Sequence, residues 1–221
     1  MKTCVIMQPT YLPWLGYFDL MKSADVFVFL DHVQYSKQSW QQRNRIRDGN
    51  GEQLLTMHAR RAPTRECRID EVMIDHSKKP LTKHLKSIRT MYARSRNFGV
   101  IFPELEELYG RDYVYLVDLN MDLIKYGAEK LGISTETIRS SELEVSSPKV
   151  GGIIEICRKV GCDRYLSPVG ARNYIEENDV FAENGIVLAY QDYEHVVYDQ
   201  IGYEDFVSHL SFIDYLFNER S

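Results

Sequence analysis

The run Val5-Ile6-Met7-Gln8-Pro9-Thr10-Tyr11-Leu12-Pro13-Trp14-Leu15-Gly16-Tyr17-Phe18 constrains this chain more than any other stretch, because a short apolar strand runs straight into a stiff loop. Pro9 and Pro13 fix φ and push Gln8 and Leu12 toward extended backbone, while Gly16 permits close backbone approach ahead of a helix predicted over 17–24. A strand, a stiff loop and a helix start are where α/β proteins bind anions. The first N–H groups of a helix lack internal partners, and the helix dipole adds partial positive charge. Val26-Phe27-Val28-Phe29-Leu30 then reads as a fully buried parallel strand. Residues 4–30 therefore form one β-loop-α-β unit, closed by Asp31 at the strand's carboxyl end, where ligands of open α/β sheets gather. The competing reading of the loop is a structural turn with Trp14 and Tyr17 packed on the core.

At 221 residues and 44% hydrophobic content the chain can bury a sizeable core, and one α/β domain spanning 1–221 is expected. No apolar run approaches the roughly 20 residues that span a bilayer, and Pro9 and Pro13 interrupt any signal-peptide pattern, so a cytoplasmic protein without membrane insertion is expected. Cys4, Cys67, Cys157 and Cys162 make no C-x-x-C pair and read as reduced thiols. His58, His76 and His84 lack ligand spacing, so no metal site is assigned; Mg²⁺ carried by a nucleotide stays open.

The net charge of −5 hides an asymmetry: residues 37–97 hold 15 Lys and Arg against 6 Asp and Glu, a local +9, while the rest carries 12 against 26, or −14. A local positive field concentrates anionic ligands even on an acidic protein; nucleotides, nucleotide sugars and acyl-carrier phosphopantetheine would all respond to it. The bland alternative is a solvated surface.

After Asp31, Arg43–Arg47 and 53–57 read as a hairpin across the turn signal Asp48-Gly49-Asn50-Gly51. A loop from Ala59 to Arg68 precedes a strand near 72–74. Helices follow from Pro80 (apolar Leu81, Leu85, Ile88, Tyr92), over 103–109, and over 112–131 with Gly132 as the stop. Thr137-Ile138-Arg139 leads into a new αβ unit. Ser146-Ser147-Pro148 caps a helix ending near Gly161. Arg164-Tyr165-Leu166 is a short strand. Ser167-Pro168-Val169-Gly170-Ala171 opens a helix through Ile175 as a second loop of phosphate-binding type, 186–190 is a last buried strand, and 210–217 a closing helix. Strands near 4–7, 26–30, 164–166 and 186–190 with intervening helices argue a parallel Rossmann-like sheet with helices on both faces. Residues 37–130 would be a hairpin-plus-helix insertion, carrying the basic segment over the sheet's carboxyl edge.

Read together, these residues closely resemble the WbqC-like family of bacterial polysaccharide-locus proteins. The resemblance rests on Gln8 through Phe18, Ala24-Asp25-Val26, Leu30-Asp31, Gln34-Tyr35, Trp40, Arg43-Asn44-Arg45-Ile46 and Leu55-Thr56. It continues through Tyr165-Leu166-Ser167, Gly170-Ala171, Tyr174, Tyr198, Gln200 and Leu210 through Asn218. It implies an enzyme of O-antigen or related glycan assembly that attaches glycine or another acyl group to an amino sugar. The family pattern has Ser-Gly where this chain has Ser167-Pro168, and a proline where it has His58. Pro168 removes a backbone donor from the second loop. A weaker fold-level analogy links the first loop to the nucleotidylyl-transferases. Their diagnostic histidine is absent here, and Tyr17 stands in its place; a neutral tyrosine can only hydrogen-bond an oxyanion, leaving charge stabilisation to Arg43 or Arg45.

The expected activity is therefore amide formation on a nucleotide-linked amino sugar. Asp31, His32 and Tyr17 are the catalytic candidates, because a protonated amine is no nucleophile and needs a base. Gln8, Thr10, Tyr11, Trp14, Gly16, Gln34, Trp40, Arg43, Asn44, Ser167 and Gly170 would hold the anion, base or sugar. An acyl carrier protein, an aminoacyl donor or ATP with Mg²⁺ would supply the activated group. The alternatives are a non-catalytic nucleotide-sugar or carrier-binding protein, and an ATP-dependent ligase or nucleotidylyltransferase. General nucleic-acid binding is not expected, given a pI near 5.7 and no RNP1-type motif.

Overall fold

The computed structural model describes residues 1–48, 51–60, 67–172, 178–200 and 205–220. In chain order its elements are β1 (Thr3–Met7), α1 (Leu15–Lys22), β2 (Val26–Phe29), β3 (Arg43–Asp48), β4 (Gly51–Thr56), β5 (Ala59–Arg60), β6 (Met73–Ile74), α2 (Pro80–Tyr92), α3 (Phe98–Tyr109), α4 (Leu116–Lys130), β7 (Glu136–Arg139), α5 (Lys149–Lys159), β8 (Arg164–Ser167), α6 (Asn178–Glu183), β9 (Val187–Tyr190) and α7 (Phe212–Asn218). They fall into two compact units. The first comprises Met1–Gln8, Gly16–His32 and Gly132–Glu194; the second comprises Pro9–Leu15, Val33–Leu131 and His195–Ser221. The second thus takes in the segment expected at 37–130, and adds the first loop and the C-terminal stretch.

The first unit is a Rossmann-like α/β fold, a five-stranded all-parallel sheet in the order β7-β2-β1-β8-β9 with helices on both faces. Continuous apolar runs make this possible, because a strand buried on both faces needs no polar alternation. Cys4, Ile6, Val26, Val28 and Tyr165 pack with Ile154, Ile156 and Cys157 of α5 and with Phe181 of α6. On the opposite face the Tyr17 ring of α1 lies 5.3 Å from Phe27, which in turn lies 5.3 Å from Phe29. The Cys4 thiol is pushed far up in pKa by its hydrogen bond to Cys157 and by burial, so Cys4 is an inert thiol.

Counted along the chain, the sheet's strands run third, second, first, fourth, fifth, so winding reverses between β1 and β8. Such a reversal opens the crevice in which ligands of doubly wound sheets bind. One expectation is corrected here: four strands were read, but Glu136–Arg139 is a fifth, an edge strand pairing Phe29 with Arg139. That register sets the chain leaving β2 beside the chain leaving β7.

In the second unit β3 and β4 form the expected hairpin, in register from Arg43↔Thr56 to Asp48↔Gly51. Gly49 and Asn50 of its turn signal lie outside the described residues. Helix α3 begins a turn before the expected start, at Phe98, and encloses Pro103. Tyr92 of α2 stacks on Phe217 of α7 at 4.4 Å. Beneath them Asp214 is completely buried, accepting hydrogen bonds from the Tyr92 and Tyr198 hydroxyls at 2.7 Å each and from Gln200 Nε2 at 2.9 Å. Burial raises the Asp214 pKa despite those donors and the nearby Arg47 guanidinium.

Candidate functional site

At the carboxyl edge of the sheet, β2 leads through Leu30 into Asp31-His32, and β7 ends at Arg139 and leads into Ser140-Ser141. Asp31 has no exposed surface, yet four donors reach its carboxylate. Oδ1 accepts from the Ser140 hydroxyl at 3.0 Å and the Ser141 amide at 2.8 Å; Oδ2 accepts from Arg139 Nε at 2.7 Å and the Ser141 hydroxyl at 2.8 Å. Burial opposes the charge, but the Arg139 guanidinium and the Ser141 hydroxyl and amide outweigh it and hold the carboxyl below the usual carboxylate range. His32, half-buried, turns Nδ1 to the Ser140 hydroxyl at 2.6 Å, and that oxygen also accepts the Asp31 amide at 3.0 Å. Asp31 and His32 are thus brought together with Arg139, Ser140 and Ser141. The last three were missed in the sequence, where the only signal was an extended Thr-Ile-Arg preceding a serine pair.

Tyr17, expected as a catalytic group, has its ring buried in the core, its hydroxyl donating to the Gln8 carbonyl at 3.2 Å, and its pKa driven well up by burial. Gln8 is half-buried at the end of β1. Gly16 is buried, and its carbonyl accepts from Gln191 Nε2 at 2.8 Å, which also reaches Asp19 at 2.7 Å. That glutamine follows β9 and tethers the first turn of α1.

At the second loop, Val169–Ala171 forms a 3₁₀ turn in which the Ala171 and Arg172 amides bond back to the Pro168 and Val169 carbonyls. Ser167 is fully buried and Gly170 exposed, with open space where a Cβ would stand. Tyr174 and the expected helix through Ile175 fall at 173–177, outside the described residues. Beside the turn, Arg172 lies over the Tyr190 ring at 4.7 Å.

The remaining expected ligand residues belong to the second unit, and most of them build it. Tyr11 is completely buried, its hydroxyl between His84 Nδ1 at 2.7 Å and the Tyr109 hydroxyl. Asn44 donates to the Tyr11 and Leu12 carbonyls at 3.3 and 2.6 Å and accepts from the Arg45 amide, so its amide group is spent on the loop. Leu12, expected to be extended, stands at φ 46°, a left-handed conformation that costs a leucine about 1–2 kcal/mol and needs such a clamp. Asn120, also missed, donates to the Pro9 and Gln41 carbonyls at 3.1 and 2.8 Å. Tyr11 and Asn44 thus hold the first loop in place through these bonds. Trp14 stacks against His209 at 4.8 Å and His195 at 6.1 Å. Thr10 and Arg43 are half-buried and Gln34 is exposed. Trp40 is 50% exposed with the Arg45 guanidinium 5.6 Å above its ring, the geometry of a stacking platform. Among the described residues, no three His, Cys, Asp or Glu side chains are grouped to hold a metal ion, and no helix is long and apolar enough to cross a membrane.

The structure is thus a Rossmann-like α/β protein with a carboxylate–hydroxyl–imidazole cluster at the carboxyl edge of its parallel sheet. Residues 8–221 match the WbqC-like protein family, and the chain belongs to that family. It is 32% identical over 222 residues to a Mycobacterium tuberculosis (strain ATCC 25618 / H37Rv) protein, "Uncharacterized protein Rv1507c", covering 99% of this chain and 94% of that one. No solved structure matches.

Proposed function

We propose that this protein is an enzyme of bacterial surface-glycan assembly that joins a glycyl or other acyl group to the amine of a nucleotide-linked amino sugar. The observation that carries the proposal is the Asp31–Ser140–His32 cluster, because a positioned base and an ordered anion are what amide formation demands and what simple retention of a ligand does not. The WbqC-like membership supports the glycan context, through the family's association with O-antigen and polysaccharide loci. In this reading the activated acyl group arrives as an ester, a thioester or an acyl-adenylate.

The test is direct. The purified protein is incubated with a panel of nucleotide-linked amino sugars, and glycine is offered free with ATP and Mg²⁺, as a thioester, or on tRNA. Mass spectrometry then looks for a sugar carrying one added glycyl group. One donor should give product. Thermal stabilisation by a nucleotide sugar with no product from any donor would replace the enzyme by a binding subunit. The exposed Trp40 beneath Arg45 favours that second reading, since stacking alone would suffice for it.

A further inference from the structure

We infer that His32 is the base, acting through Nε2, and that Ser140 is a positioning residue which fixes its tautomer by relaying to Asp31. The inference rests on the proposed amide chemistry, but its primary readout does not. A serine hydroxyl has one proton to give and two lone pairs to accept with. Three groups crowd Ser140 Oγ: the Asp31 amide at 3.0 Å, Asp31 Oδ1 at 3.0 Å and His32 Nδ1 at 2.6 Å. An ionised carboxylate oxygen can only accept, so the hydroxyl proton must point at Oδ1. Both lone pairs of Oγ then face donors, the Asp31 N–H and an Nδ1–H of His32. The imidazole proton accordingly sits on Nδ1, and Nε2 is the basic nitrogen.

Asp31 cannot serve as the base itself. Each of its oxygens already accepts two hydrogen bonds, one from the Arg139 guanidinium, and the whole residue is sealed from solvent. Its anion instead lends stability to an imidazolium at one remove, through the intervening hydroxyl. Among the described residues, Asp31 and Arg139 are the charged side chains joined to this cluster, and Glu142 is exposed on the turn after β7.

The step balances. The neutral amine nitrogen of the sugar attacks the acyl carbonyl carbon and forms the C–N bond, and its surplus proton moves to Nε2. The bond from carbon to the leaving oxygen or sulfur breaks as the tetrahedral intermediate collapses, and the proton on Nε2 passes to that departing atom. His32 ends neutral, with Nδ1 still protonated.

Nitrogen-15 NMR of the wild-type protein tests the inference before any assay. His32 should show a protonated Nδ1 and an unprotonated Nε2 above its titration. An Nε2–H tautomer would overturn the assignment, whatever the enzyme's substrate. Ser140→Ala should release the ring to a mixed tautomer population and lower kcat by about 10²-fold, with KM nearly unchanged and the acidic limb of the pH profile displaced. Ser140→Thr, which keeps the hydroxyl, should restore both. His32→Gln should lower kcat by about 10²–10⁴-fold, the range typical of a lost general base. Unchanged tautomer populations in Ser140→Ala would remove the relay. A wild-type ring in the expected form, with no amide produced from any donor, would instead reject the proposed reaction and leave the relay standing.

Discussion

Each unit is organised around a buried aspartate, and the surroundings of the two push their acidities in opposite directions. Asp31, in the first unit, faces a guanidinium, two hydroxyls and an amide, and stays ionised below the usual range. Asp214, in the second, is served by two tyrosine hydroxyls and a glutamine amide, and burial still raises its pKa. Neutral donors soften desolvation; a directly bonded cation reverses it. The contrast has a structural origin. Arg139 keeps about a quarter of its side chain in solvent, so the Asp31 pair sits at a rim. Asp214 instead joins α2, α7 and the 198–200 segment within a core. A permanent anion at a strand's carboxyl end suits chemistry, and a reluctant one in a core suits architecture.

The strongest challenge to that contrast is Asp214→Ala, which strips the shared acceptor from Tyr92, Tyr198 and Gln200. Removing one side of such a buried cluster should lower stability by about 3–5 kcal/mol, read as a drop in urea midpoint with unchanged slope. A loss below about 1 kcal/mol would show that Asp214 is no joint.

Next in size is a pH effect confined to the second unit. Burial lowers the His84 pKa to about 4 from its ordinary 6.5, and Nε2–H donates to the Thr56 carbonyl. The unfolded chain binds this proton more readily. The stability His84 contributes is therefore complete above pH 6.5 and is lost as pH falls toward 4, by about 3 kcal/mol at 1.36 kcal/mol per pH unit. His84→Gln should flatten that slope in denaturation curves taken from pH 7 to 4. A slope retained in the variant would shift its origin to another group.

Smaller and opposed effects come from the aspartates themselves. Asp31→Asn should cost about 1–3 kcal/mol at neutral pH. It should also remove stability that the wild type loses only below about pH 3.9, as pH falls through the depressed carboxyl pKa. Asp214→Asn should remove a slope of the other sign: the wild type gains stability as pH falls from the raised pKa toward 3.9. Parallel acid titrations of the two variants compare them; matching slopes would erase the distinction. At the bottom of the scale, Gly170→Ala meets open space and should change stability by no more than about 0.5 kcal/mol.

The sheet was readable where burial on both faces makes residues apolar without interruption, as in Val26–Phe29 and Cys4–Ile6. It was not readable at Glu136–Arg139, an edge strand with a single aliphatic residue. Asp31 could be singled out from its place after a strand. Its partners could not, because they lie 108 to 110 residues away and meet it only through the β2–β7 register. Tyr11 drew attention from its proline-bounded loop, Tyr17 from standing where nucleotidylyl-transferases carry a histidine, and Asn44 from the family-like Arg43–Ile46 run. Tertiary packing gave their hydrogen bonds to the protein itself. The Ser167–Ala171 stretch enters a 3₁₀ turn, and the rest of the helix expected through Ile175 lies outside the described residues.

The four reduced thiols have a practical consequence. Cys4, Cys157 and Cys162 are shielded in the first unit and Cys67 in the second. An alkylating reagent reaches none of them until its surroundings open. The native chain thus carries a timer in each unit, and peptide mapping after pulses of reagent would clock the two openings separately, with no label having to be engineered.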